Sequence, residues 1–250
     1  MKKNLSIILP VYNENESLEL MVKILTHSLD FEHEIIIVYD SLDDQSVPMA
    51  KKLENDFNSV KSIHNKIAHG VKYAIQSGLS IAKFDVVLIS AVDEIFPILE
   101  INKMLEKMIN ENYDLISGTR YKLGGQRLGG SLVGRILSVL ANYSFKIITN
   151  FPLSDSTTGI KMIKKDCLNK INLTFNPVGW SCAFEISIRA YLQNFKIGEV
   201  PLKSVDRLFG GSSTFNPGSW IVEYFKLYIW GVFEIYKKKI KKKYKFFILL

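Results

Sequence analysis

Hydrophobic residues recur along the first half of this chain in two alternating ways. Short apolar runs at residues 5–11, 34–38, 59–63, 86–90 and 114–117 have the length of buried strands. Between them lie helical segments at 17–29, from the polar turn 41–45 to about 57, at 68–82 and at 99–110. Asn13 or Asn15 is placed to cap the first, and the four-residue spacing of Ala74, Gly78 and Ala82 lets the third lie close on a sheet. Strands alternating with helices predict right-handed crossovers and a doubly wound, mostly parallel α/β sheet.

After residue 117 the pattern changes. Gly124, Gly125, Gly129 and Gly130 predict a mobile loop, and residues 135–149 a helix with a broad apolar face. A turn into a strand follows over 155–164, then a helix at 184–193, a strand at 196–200 closed by Pro201, and a second flexible loop at 210–214. From 220 to 236 the helix is apolar almost all round, except for a stripe of Glu223, Lys226, Glu234 and Lys237. With Trp220, Tyr224, Tyr228, Trp230 and Tyr236 it suits a membrane interface, the alternative being a helix packed on its own domain or on a partner. The chain thus divides into a domain over 1–218 and an amphipathic aromatic helix with a polybasic tail over 219–250.

Charge sharpens that division. Seven lysines between 237 and 245 account for the whole net charge of +7, so the body is neutral. A basic patch confined to a terminus beside an aromatic helix points to an anionic membrane surface, contacted through 220–245, rather than to nucleic acid. A merely solvated end competes with that reading. No run of 18 uncharged apolar residues exists, so no ordinary transmembrane helix is expected. The first apolar run is too short for a signal peptide and lacks a small-residue cleavage site. Cys167 and Cys182 lack metal-ligand spacing and read as reduced thiols of a cytosolic protein, peripheral on the inner face of the cell membrane.

The candidate chemistry centres on residues 86–97, an apolar strand that ends in Asp93, Glu94 and Pro97. Open α/β sheets bind ligands outside such strand ends.

Leu9-Pro10-Val11-Tyr12-Asn13-Glu14, Val38 to Ser46 with Asp40 and Asp44, Ser117-Gly118-Thr119-Arg120-Tyr121, Asp155 to Gly159, and Val205-Asp206-Arg207 through Ser212 stand in an order that resembles the family 2 glycosyltransferases. Within that family the resemblance is to dolichyl- or polyprenyl-phosphate sugar synthases. It implies a nucleotide-diphospho-sugar transferase fold of the GT-A type, Rossmann-like, carrying the C-terminal amphipathic helix. It also implies an inverting transfer of a hexose from a nucleotide diphosphate sugar to a polyprenyl or dolichyl phosphate. A surface glycan is the alternative acceptor, and a catalytically impaired nucleotide-sugar-binding homologue the alternative class. By the resemblance Pro10, Tyr12, Glu14 and Asp40 hold the nucleotide. Asp93 with Glu94 holds Mg2+ or Mn2+, although Ala91 replaces the first aspartate of the family's Asp-X-Asp. Stabilising the departing diphosphate is the main task of such a site, for which Asp93 with its metal, Arg120 and Arg135 are the candidates. Arg207 is placed to close over the diphosphate or the acceptor phosphate. For a hydroxyl acceptor, Asp155 or Glu185 is the candidate base. A homo-oligomer is compatible with all of this.

Overall fold

The computed structural model describes residues 2–129, 132–176, 178–205 and 217–248. In chain order they form β1 (Asn4–Val11), α1 (Asn15–Ser28), β2 (Glu32–Tyr39), α2 (Val47–Asp56), β3 (Val60–His64), α3 (Val71–Ile81) and β4 (Val86–Ile89). A 3-10 turn (Phe96–Glu100) leads into α4 (Ile101–Asn110), followed by β5 (Leu115–Thr119), β6 (Gln126–Leu128) and α5 (Leu132–Thr149). Then come β7 (Lys161–Lys164), α6 (Lys165–Asn169), α7 (Ser181–Leu192), β8 (Ile197–Pro201), β9 (Lys203–Val205) and α8 (Pro217–Ile248).

Seven strands make one sheet in the order β3-β2-β1-β4-β7-β5-β8. Every pairing is parallel except those of β7, which runs antiparallel to β4 and β5. Alternate residues of β1 feed opposite faces: Ile7 packs with the residues of α1 and α4, and Ile8 with those of α3 and α7. Helices on both faces are why these strands are apolar without interruption. The stripe of small residues on α3 acts as its spacing predicts, since a methyl added at Gly78 would lie 2.6 Å from Ile8 Cγ2.

Several local expectations are corrected. Neither asparagine caps α1: Asn13 sits at φ 56° and its side chain accepts from the Gln45 N–H, while α1 starts at Asn15 after Glu14. The glycine-rich stretch contains β6, which pairs in parallel with the unpredicted β9 to form a small second sheet. The 210–214 loop lies outside the described residues.

The segment predicted as a separate tail shares a core with the body. Leu227 and Ile235 of α8 are buried with Phe145 of α5 and Phe184 and Ile188 of α7. Most aromatic residues expected at a membrane turn inward instead. The Trp230 ring packs at a tilt against Phe175 and lies under the Arg189 guanidinium, and the Tyr228 hydroxyl donates to Ser144 Oγ at 2.9 Å. What α8 leaves exposed is Phe225 and Phe233, at 62% and 69%, together with Val222 and Ile240. Its neighbour α5 is exposed along Leu132, Val133, Ile136, Leu140, Tyr143 and Ile147. At 18 residues α5 is long and apolar enough to cross a membrane, a property the search for uncharged runs misses because Arg135 and Lys146 interrupt it.

Candidate active site

The site residues gather at one edge of the sheet because of strand direction. β1, β2, β4 and β5 all end there, and β7, running the other way, starts there. Its reversal therefore carries the loop 154–160 to the edge where Tyr12, Asp40, Asp93 and Arg120 emerge. The chain builds β1 to β3 in one direction and then crosses to place β4 on the other side of β1, so the switch point falls between Tyr12 and Asp93.

On the β1–β3 side, Val11, Tyr39 and His64 lie abreast, so Tyr12, Asp40 and Asn65 leave the sheet side by side. Asp40 Oδ1 accepts from Asn65 Nδ2 at 2.7 Å, and Oδ2 accepts from the Gly70 N–H at 2.6 Å. Gly70 stands at φ 116°, a conformation glycine adopts at little cost. Asp44 Oδ1 accepts from the N–H groups of Asn13 and Ser46, and Ser46 Oγ accepts from the Glu14 N–H at 2.8 Å. These bonds lace the loops after β1 and β2 into one rigid rim. Pro10 lies within β1, and the Tyr12 ring, 65% exposed, overhangs the rim. Each Asp40 oxygen keeps a second lone pair for a base edge or a ribose diol.

Beyond β4 the chain turns through Ala91, Val92 and Asp93. Ala91, Val92 and Ile95 are buried and Asp93 is half-buried. Glu94 Oε2 accepts from the Ser204 hydroxyl at 3.2 Å, which ties the turn to β9. Among the described residues no group of three or more His, Cys, Asp or Glu is placed to hold a metal. Mg2+ commonly takes only one or two protein carboxylates and completes its shell with water and substrate phosphates. These residues fit a cation of that kind, anchored at Asp93 and arriving with the donor, and do not fit a cage made by the protein alone.

The β5 side is built on buried charge. Arg120 Nε donates to Asp155 Oδ2 at 2.7 Å and Nη2 to Oδ1 at 3.0 Å, with Asp155 fully buried. Burial alone would raise the Asp155 carboxyl, yet the Arg120 guanidinium and its hydrogen bonds hold it below the usual carboxylate range. Asp155 is therefore engaged as a partner of Arg120, which corrects its expected availability as a base. Glu185 is committed too, accepting from Arg189 Nε at 2.7 Å and from the Thr174 N–H at 2.8 Å. Arg120 in turn spends Nε and Nη2 inside the protein, with Nη2 also donating to Thr157 Oγ1 at 3.3 Å, so only its Nη1 edge is left for an anion.

Helix α5 is pinned to this cluster by its polar strip. Asn142 Nδ2 donates to Thr157 Oγ1 at 2.8 Å, Asn142 Oδ1 accepts from the Ser156 N–H at 2.7 Å, and Ser138 Oγ accepts from the Tyr121 hydroxyl at 2.9 Å. Arg135, exposed, precedes Ser138 and Asn142 by three and seven residues and so shares their face. Arg207 falls outside the described residues.

Residue reasoning missed Asn65 and Asn142, which are single polar residues in otherwise undistinguished stretches. It also missed Lys161, whose signal is a lone cation inside the apolar run Ile160 to Ile163.

A mostly parallel sheet whose active edge carries a laced rim at Tyr12 and Asp40, an acid-bearing turn at the switch point and Arg120 on the far side has the architecture of the GT-A type of fold. Residues 6–171 match Glycosyl transferase family 2, and the chain belongs to that family of glycosyltransferases. It is 27% identical over 226 residues to a dolichol-phosphate mannosyltransferase of Pyrococcus furiosus, covering 88% of this chain but 61% of that protein. It is 27% identical over 232 residues to a polyprenol monophosphomannose synthase of Mycolicibacterium smegmatis, covering 90% and 86% of the two. The fold matches glucosyl-3-phosphoglycerate synthase from Mycobacterium tuberculosis in complex with Mn2+, UDP-glucose and phosphoglyceric acid. That match has a TM-score of 0.69 at 15% identity and covers 92% of this chain and 79% of that one.

Proposed function

We propose that this protein is an inverting glycosyltransferase that moves a hexose from a nucleotide diphosphate sugar to a polyprenyl phosphate at the cytoplasmic face of an anionic membrane. The observation that carries the reading is the commitment of Asp155 and Glu185 to ion pairs beside a helix whose outer face is exposed and apolar. A sugar hydroxyl would need a base at that position. A lipid phosphate is already ionised at neutral pH, its second pKa being about 6, and needs none. The names of the Pyrococcus and Mycolicibacterium relatives agree with a polyprenyl or dolichyl acceptor.

In this mechanism the rim holds the nucleotide, with Tyr12 against the base and Asp40 accepting from base or ribose. Asp93 faces the diphosphate. Bound there, Mg2+ or Mn2+ supplies positive charge to the departing diphosphate, where electrostatic stabilisation contributes most. Arg120, through its Nη1 edge, and Arg135 orient the acceptor phosphate for attack on the anomeric carbon from the face opposite the leaving group. Arginine suits that task because its planar charge cannot be neutralised.

Helix α5 lies in the membrane plane rather than across it. Its Ser138 and Asn142 are bound to the loop at the site, which a helix surrounded by lipid could not manage. The exposed faces of α5 and α8 then meet the interface together, with Lys241 and Lys242 beside them.

The test is incubation with anionic vesicles containing polyprenyl phosphate and a panel of radiolabelled uridine and guanosine diphosphate hexoses, with Mg2+ or Mn2+. Label extractable into organic solvent, with inverted anomeric configuration, is the expected outcome. Label that stays in water with every donor overturns the lipid acceptor. Nucleotide binding without any turnover would instead mark an impaired homologue, the reading that Ala91 favours.

A further inference from the structure

Lys161 is fully buried in the sheet, and the mechanism above does not use it. Buried lysines are rare, because an ammonium taken out of water is costly unless paired. This one lies on β7 between Ile89 of β4 and Ser117 of β5. Its Nζ donates to Ser117 Oγ at 3.0 Å and to the Ser156 carbonyl at 3.3 Å. Both partners are neutral. Asp155, the carboxylate that acts on it, is taken by Arg120 through two hydrogen bonds. Arg120, Asp155 and protonated Lys161 together carry one positive charge in excess, and the carboxylate that offsets it from outside, Glu94, acts on Arg120 rather than on the lysine.

The other groups facing this lysine do not supply the missing negative charge. From α7 comes the Cys182 thiol, which burial and then Glu185 push up to about 12 and so keep neutral, while Glu185 itself is paired with Arg189. From α8 comes Tyr224, whose hydroxyl burial also keeps neutral. Residues 86–89 of β4 are all apolar, and β5 offers the Ser117 hydroxyl with Arg120 just beyond it. Burial, with a smaller contribution from Arg120 and against the pull of Asp155, lowers the ammonium to about 7. An anion near Arg120 would draw a proton from solvent onto Nζ.

We propose that Lys161 is a switchable counter-charge of the site, so that a phosphate group seated against Arg120 binds together with one proton taken up by the Lys161 amine. The inference rests on the functional reading above for the existence of that phosphate, which belongs either to the acceptor or to the donor diphosphate. Lys161 is a positioning residue: it acts through the Asp155 and Ser156 loop and touches no reacting atom.

The experiment is calorimetric titration of the whole protein at pH 8 in two buffers of different ionisation enthalpy. A short-chain prenyl phosphate is the probe in one arm and uridine diphosphate in the other. The wild type is expected to take up about 0.5–1 proton per bound ligand in the arm whose phosphate faces Arg120. Lys161→Met, which leaves the Arg120 and Asp155 charges balanced, should fold, bind that ligand about tenfold more weakly at pH 7 and take up no proton. Lys161→Arg keeps its charge at every pH and should retain affinity without proton uptake, which serves as the control if the methionine variant does not fold. Binding without uptake in both arms, or uptake that persists in either variant, overturns the inference alone. Failure of both ligands to bind overturns the functional reading and this inference with it.

Discussion

The two sides of the active edge rest on different physics. The β1–β3 side holds its shape with hydrogen bonds to backbone N–H groups, from Asp40, Asp44 and Ser46, and stays open to solvent at Tyr12. The β5 side buries an arginine, an aspartate and a lysine beneath a helix whose own exterior is apolar. A rim of short hydrogen-bonded turns suits a soluble nucleotide that comes and goes. Buried charge behind an apolar helix suits an anionic headgroup on a lipid, because the low dielectric that strengthens the arginine's field also penalises losing a partner. The same contrast predicts that substitutions on the two sides fail in different ways.

The largest effect belongs to Asp155. Asp155→Ala leaves Arg120 and Lys161 buried without a counter-charge and is expected to cost about 3–5 kcal/mol in denaturant unfolding. An equal truncation at Asp40, where water can replace the lost partner, should cost about 1–3 kcal/mol and weaken nucleotide binding. Equal losses at the two positions would erase the contrast.

Next comes Asp93. Asp93→Ala should lower turnover by about 10²–10³ while the folded state unfolds at nearly the same temperature. Unchanged turnover would remove Asp93 from the chemistry. Ala91→Asp, adding a carboxylate to the same turn, should raise the affinity for Mn2+ measured by paramagnetic relaxation, provided the cation does bind at that turn.

The pH dependence of stability separates the sides in a third way. Lys161 titrates near 7 when folded and near 10.5 when unfolded, so between those values the unfolded chain binds more protons. Stability should therefore rise as pH increases from 7 towards 10.5, with the full penalty present below 7. Lys161→Met should flatten that window. Asp155, held below its ordinary value, acts at the other end: its contribution is present above about pH 4 and is lost as the solution is acidified through its folded pKa. Denaturant midpoints measured across pH check both signs.

How much of this was legible in the residues follows the same division. Strands that are buried on both faces announce themselves as apolar runs, and the turn residues at their ends mark an edge, so β1 to β5 and the positions of Tyr12, Asp40 and Asp93 could be read directly. The β5 side could not be read that way. The antiparallel direction of β7 depends on where the 150–160 segment enters the sheet, which no periodicity records. Asp155 was visible as a motif residue, but its pairing with Arg120 is a contact across 35 positions. In α8 the pattern showed an aromatic helix without showing which aromatics turn inward, because Trp230 and Tyr228 find partners only once α5 and α7 are in place.

The exposed apolar faces give the next prediction in size. Phe225 and Phe233 lie outside the shared core, so changing each to Asp should leave stability within about 0.5 kcal/mol. If both rings enter the lipid interface, each change should weaken sedimentation with anionic vesicles by about tenfold or more. Unchanged vesicle binding would assign this face to a protein partner or a second copy instead.

The smallest effects test the lysines, which the structure sorts into two kinds. Lys239 Nζ donates to the carbonyl of Thr149 at 2.6 Å, and Lys238 Nζ to that of Tyr191, so these two serve the C-terminal ends of α5 and α7. A cation at a helix C-terminus satisfies orphan carbonyls and meets the negative end of the dipole. Lys237 pairs with Glu234 at 3.5 Å, whereas Lys241 and Lys242 are exposed. Lys239→Ala should thus lower stability by about 0.5–1.5 kcal/mol with little change in vesicle binding. Lys241→Ala should do the reverse, weakening binding to anionic vesicles by up to about fivefold at low salt, since each lysine near such a surface contributes about 1 kcal/mol. Raising the salt should abolish the second effect and spare the first, because screening acts on the exposed charge far more than on a hydrogen bond tucked against a helix end. Equal behaviour of Lys239 and Lys241 in both measurements would mean that the tail is one undifferentiated basic cloud.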